Sequence, residues 1–180
     1  MKTIFALSGS LRKGSFNTAL LRALVAAAPQ DVAINVGSIR ELPLYDFDVE
    51  VANFPKSAQD LKEGLINAQG LLLVTPEYNN SVPGVLKNAI DWMTRPSADI
   101  ARVFRNKPVA IMGASDGPGG TRLSQSAWLP VFRTLGMRPY YGSTLYMDRA
   151  SNYFDANGNL LDDKMKERLQ KFVDGFRDFI

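Results

Sequence analysis

The sequence predicts a doubly wound α/β fold: a five-stranded parallel sheet of order 2-1-3-4-5, with helices on both faces. Three observations predict it. Short apolar runs alternate with helix-period stretches five times along the chain. Two of those runs, Gly70–Thr75 and Pro108–Ala114, are apolar almost throughout, as strands covered on both faces must be. The turns after the first, third and fourth runs are the most polar and the richest in Gly, Ser and Asn. Ligand loops in such sheets lie at the carboxyl ends of strands, around the switch point between strands 1 and 3.

Each element has its own signal. Thr3–Leu7 is the first strand, and Asn17–Ala28 the first helix, with Ala19, Leu20, Ala23, Leu24 and Ala27 on one face before Pro29 ends it. Asp31–Val36 alternates as a strand, and Pro43 and Asp46–Asn53 make a long polar connection. Lys56–Ala68 is helical, with Ala58, Leu61, Leu65 and Ala68 inward. Gly70–Thr75 is the third strand. A helix opens near Val82 or Pro83, its stripe formed by Val82, Val85, Leu86, Ala89 and Ile90. Pro108–Ala114 is the fourth strand. Thr121–Leu135 is a helix ended by Gly136, in which Pro130 predicts a kink or an early break. Met137–Leu145 is the fifth strand. Asp155–Gly158 is a turn whose Gly is misplaced for a calcium loop. Asp162–Ile180 closes the chain as a helix with Met165, Leu169, Phe172, Val173 and Phe176 inward.

Composition narrows the chemistry. The 180 residues are expected to form one domain, and 46% apolar with 22% charged residues is ordinary for a globular protein. The formal charge of +3, with Arg12-Lys13 as the only adjacent basic pair, is no nucleic-acid footprint. There is no Cys and no His. Thiolate nucleophiles, Ser-His triads and His- or Cys-based metal sites are therefore excluded, carboxylate-only Mg²⁺ or Ca²⁺ sites stay open though no metal is expected, and redox chemistry must belong to a bound cofactor, with no catalytic side chain expected. No signal peptide or membrane span is evident, so the expectation is a cytoplasmic protein.

The three loops supply the candidate site. Gly9–Thr18 leads from a strand into a helix N-terminus, where free N–H groups and the dipole favour an anion. Gly9 and Gly14 fit a P-loop spacing, but Ser15 stands where its Lys must be, so nucleoside triphosphates lose support. Ser10, Arg12, Ser15, Asn17 and Thr18 can instead surround a phosphate. The plain alternative, Ser15 or Asn17 capping the helix, explains one of these residues. Pro76–Ser81 offers backbone N–H groups, the Tyr78 ring and an amide, which suits a flat heteroaromatic ligand; Glu77 is read as structural or solvent-facing. Ser115–Gly120 permits close backbone approach. Trp92 and Trp128 read as core or interface.

At these residues a resemblance becomes specific. Gly9-Ser10-x-Arg12-x-x-Ser15-x-Asn17 and Pro76-Glu77-Tyr78-Asn79-x-Ser81-x-Pro83-Gly84-x-Leu86-Lys87-Asn88-Ala89-Ile90-Asp91-Trp92, with Gly119-Gly120-x-Arg122, resemble the NAD(P)H-dependent FMN reductases of the flavodoxin-like fold. The resemblance implies FMN as cofactor and NADPH or NADH as co-substrate. Two electrons would pass by hydride transfer through flavin N5 to a small acceptor such as a quinone, chromate, an azo compound or free flavin. It implies that Ser10, Arg12, Ser15, Asn17 and Thr18 hold the phosphate, with Phe16 beside them. Pro76, Glu77, Tyr78 and Asn79 would contact the ring, and Ser115, Gly117, Gly119 and Gly120 would close its other edge. It further implies a homodimer or homotetramer. The alternative on this fold is a flavodoxin-type electron carrier without NAD(P)H oxidation of its own.

Overall fold

The computed structural model describes residues 1–180. The strands are β1 (Lys2–Ser8), β2 (Val32–Gly37), β3 (Gly70–Val74), β4 (Pro108–Ala114), β5 (Arg138–Pro139) and β6 (Tyr146–Met147). The helices are α1 (Phe16–Ala27), α2 (Phe47–Ala52), α3 (Lys56–Ile66), α4 (Gly84–Met93), α5 (Ile100–Phe104), α6 (Arg122–Thr134) and α7 (Asp163–Phe179). The sheet order is β2-β1-β3-β4-β5, every pairing is parallel, and β6 also pairs with β4. This is the flavodoxin-like arrangement.

The two-faced strands organise the core. On β1, Ile4 and Ala6 enter the cluster under α1 and α7, while Phe5 and Leu7 enter the cluster under α3, α4 and α6. On β3, Leu72 and Val74 join the first cluster and Leu71 and Leu73 the second. Period-2 alternation thus feeds two cores at once, and each fully buried Leu contributes about 1.5–3 kcal/mol of transfer free energy. Both ring-bearing helix residues singled out in the sequence are core: Trp92 and Trp128 are wholly buried.

Three expectations change, and one further segment gains structure. The fifth strand is not continuous over Met137–Leu145. Its first residues pair with Pro108 and Val109, and pairing resumes only at Gly113 and Ala114 through Tyr146 and Met147. From Val109 to Gly113 the chain advances four residues, while from Pro139 to Tyr146 it advances seven. The surplus must bulge; it begins after Tyr140, whose amide still donates to the Val109 carbonyl at 2.8 Å, while Pro139 turns its N–H-less nitrogen to the open edge. The connection after Pro43 contains α2, started by Asp46, whose carboxylate accepts from the Asp48 amide at 2.8 Å. None of its residues is buried, so it has no inward stripe for periodicity to detect. The segment after Arg95 likewise holds a 3₁₀ turn, Ser97–Asp99, and α5. The buried Lys62 ammonium fixes it, donating to Asp99 and to the Arg95 carbonyl at 2.6 Å each, and this ion pair holds the Asp99 carboxyl below its ordinary range. Finally, of the kink or early break that Pro130 predicts, the break does not occur: α6 runs on to Thr134. Pro130 sits on the exposed side, where a carbonyl left without its donor can face water.

Candidate functional site

The carboxyl ends of β1, β3 and β4 lie side by side, so the Gly9–Thr18, Pro76–Ser81 and Ser115–Gly120 loops open on one edge. The Gly9 amide donates to the Val74 carbonyl and the Thr75 amide to the Met112 carbonyl, both at 2.8 Å, so all three loops leave the sheet in register. A Cβ on Gly9 would stand 2.9 Å from Leu86 Cδ2 and Pro76 Cδ. Only glycine lets the first loop lie against the third.

In the first loop, Ser15 is the N-cap of α1: its hydroxyl accepts from the Thr18 amide at 3.3 Å. The Ser15, Phe16 and Asn17 amides donate to no acceptor in the chain. Ser10 Oγ accepts from the Arg12 amide at 3.3 Å, and Thr18 Oγ1 lies 3.0 Å from Ser8 Oγ. The Arg12 guanidinium forms no ion pair and sits 5.3 Å from the Phe16 ring centroid. Asn17 is committed elsewhere: its Nδ2 donates to the Ala114 carbonyl at 2.8 Å and its Oδ1 accepts from the Ala114 amide at 2.9 Å. That bracket joins α1 to the end of β4 and leaves Asn17 only its backbone amide for a ligand. Loose amides, two hydroxyls and an unpaired guanidinium, with no carboxylate among them, form a cradle that fits a phosphate monoester.

The third loop is a two-residue hairpin. Tyr78 and Ser81 exchange amide–carbonyl hydrogen bonds at 3.2 and 3.0 Å, and Asn79 and Asn80 between them have φ of 50° and 60°. Asn is among the few residues that enter this region at low cost. Tyr78 presents an exposed ring, and the Glu77 and Asn79 amides have no acceptor in the chain. Glu77 is structural, as expected: its carboxylate accepts from the Leu123 and Ser124 amides at 2.8 and 3.0 Å, capping α6. Behind the loop, Thr75 Oγ1 donates to the Pro76 carbonyl at 2.9 Å and lies 3.0 Å from Ser124 Oγ, while Trp128 Nε1 donates to it at 3.3 Å. This buried network was not legible in the sequence, because its members lie on different elements.

In the fourth loop, Ser115 Oγ accepts from the Gly117 amide at 3.2 Å. Gly120, at φ 60°, stands where a Cβ would approach the Tyr146 backbone to 3.2 Å, so both conformation and space demand glycine. Pro118 and Gly119 are exposed at the rim. An edge with an anion cradle at one end and backbone amides beside the exposed Tyr78 ring at the other can hold a flat, singly phosphorylated cofactor such as FMN.

The fold and this edge define the class of flavodoxin-like flavin oxidoreductases. The model of one family, described as NADPH-dependent FMN reductase, matches residues 2–152. The chain belongs to that family. It is 40% identical over 168 residues to an NAD(P)H-dependent FMN reductase of Pseudomonas aeruginosa, covering 93% of this chain and 89% of the relative. It is 40% identical over 172 residues to a 2-hydroxy-1,4-benzoquinone reductase of a Burkholderia species, covering 96% and 92%. Among solved structures, the flavoenzyme NAD(P)H:(acceptor) oxidoreductase FerB of Paracoccus denitrificans superposes with a TM-score of 0.89 at 35% identity, over 99% of this chain and 96% of that one. These relatives are enzymes, and nothing among them favours the electron-carrier alternative.

Proposed function

We propose that the chain works as one FMN-binding domain that oxidises NADPH or NADH and reduces quinones. The observation that carries the reading is the cluster of unpartnered α1 amides beside an unpaired Arg12, facing the Tyr78 hairpin across Gly9. FMN, when bound, supplies the ability to accept a hydride and release two electrons. The chain supplies placement and electrostatics. Ser10, Arg12, Ser15, Phe16, Asn17 and Thr18 hold the phosphate end, Asn17 through its backbone amide. Pro76, Glu77, Tyr78 and Asn79 hold the ring by free amides and the Tyr78 wall. Ser115, Gly117, Gly119 and Gly120 close the opposite edge with backbone. Fixed N–H dipoles at the ring favour negative charge there, in the manner of an oxyanion hole. The quinone class rests on the named activity of the Burkholderia relative.

The working unit in this reading is a cytoplasmic homodimer or homotetramer. No helix is long and apolar enough to cross a membrane. Next to α4, Leu44, Phe47 and Val51 stand exposed on and beside α2, an apolar surface suited to a second copy.

Turnover tests the proposal. The purified protein, reconstituted with FMN, should consume NADPH or NADH with benzoquinone, faster than with chromate, an azo dye or free FMN. No consumption with any acceptor overturns it.

A further inference from the structure

We propose that Phe154, just beyond the residues the family model covers, is a positioning residue: it presets Arg12 for the phosphate by clamping Phe16 from below. The inference rests on the FMN reading above. The Phe154 and Phe16 rings stack with centroids 6.0 Å apart and planes at 20°, and Arg12 lies 5.3 Å from the Phe16 centroid. Phe154 itself is anchored, buried in the cluster under α1 and α7.

The turn carrying Phe154 is stiff. Phe154 bridges to Leu160, and the Asp155 carboxylate accepts from the Asn157 and Asn159 amides at 2.8 Å each. Arg22, one helical turn past Thr18, ties the turn to α1 by donating to the Asn157 and Gly158 carbonyls at 3.3 and 3.4 Å. The same stretch of chain also reaches the fourth loop. The Ser151 amide donates to the Asp116 carboxylate at 2.8 Å and holds that carboxyl below its ordinary range. Arg12 itself has the Phe16 ring on one side, and that ring is backed by Phe154. A long, free arginine must be immobilised when a phosphate arrives, and a preset one loses less entropy. In the sequence Asp155–Gly158 shows only as a turn, because Arg22, which holds it, and Phe16, which meets the neighbouring Phe154, lie at the other end of the chain.

A double-mutant cycle on the full chain tests this, with FMN and riboflavin titrated by flavin fluorescence. Phe154→Leu should cut the preference for FMN over riboflavin by about 3- to 10-fold, and by less than about 2-fold when Arg12→Ala is already present. Phe154→Tyr, which keeps the ring, should restore it. Arg22→Ala frees the turn without opening the core and should act in the same direction as Phe154→Leu. Equal losses for both ligands, a loss independent of Arg12, or an unchanged preference in both the Phe154→Leu and Arg22→Ala proteins overturns the inference. A wild-type protein with no preference for FMN over riboflavin instead sinks the phosphate reading on which it stands.

Discussion

In the proposed site, the loop assigned to the phosphate offers backbone amides together with side chains, whereas the loop assigned to the ring offers mostly backbone. Around Gly9–Thr18, the groups free to meet a ligand include the Ser15, Phe16 and Asn17 amides, the Arg12 guanidinium beside the Phe16 ring, and the Ser10 and Thr18 hydroxyls, which are held by short-range bonds. At Pro76–Ser81, the only large side chain turned outward is Tyr78; the Glu77 carboxylate points away, into the N-terminus of α6. The difference is physical. A doubly charged phosphate is best met by charge and many donors, while a flat ring is met by amides whose positions come from a rigid support. Substitutions at the first end should alter recognition of one chemical group. Substitutions behind the second should alter the support, and with it every flavin alike.

The largest effect is expected at the support. In Gly113→Ala, the new Cβ would collide with the Thr75 carbonyl and stand 2.5 Å from Thr121 Oγ1, forcing β3 and β4 apart where the third and fourth loops begin. Overpacking of this kind costs about 3 kcal/mol, to be read from urea unfolding, with FMN and riboflavin binding weakened together. Selective loss of FMN would break the comparison. Glu77→Ala should come next. It leaves the Leu123 and Ser124 amides without their acceptor and should cost about 1–2 kcal/mol of stability, again with no discrimination between FMN and riboflavin. A stable Glu77→Ala protein that loses only turnover would instead give that carboxylate a part in the chemistry.

How much could be read in advance differs between the same regions. β1 and β3 were plain because Ile4–Leu7 and Leu71–Val74 are apolar throughout and each residue feeds a core on one face or the other. The three loops stood out because polar turns rich in Gly, Ser or Asn recur at the ends of buried strands. The break in the fifth strand was hidden, since Met137–Leu145 reads as one run until the register with β4 shows the surplus residues. α2 was hidden because it buries nothing. At the site, the capping action of Ser15 was visible locally, being three residues from Thr18. The commitment of Asn17 to Ala114, and of Glu77 to α6, was not, because each depends on a partner brought close only by the sheet.

The central claim is that the first loop recognises a phosphate while the third recognises a ring. Dissociation constants of FMN and riboflavin for the wild-type and Arg12→Ala proteins, measured side by side, test it most directly. The wild type should bind FMN more tightly than riboflavin. Removing Arg12 should cost about 10- to 100-fold in FMN affinity, the scale of one charged hydrogen-bonding group, with riboflavin changed less than about 2-fold. Equal losses for the two ligands would contradict it.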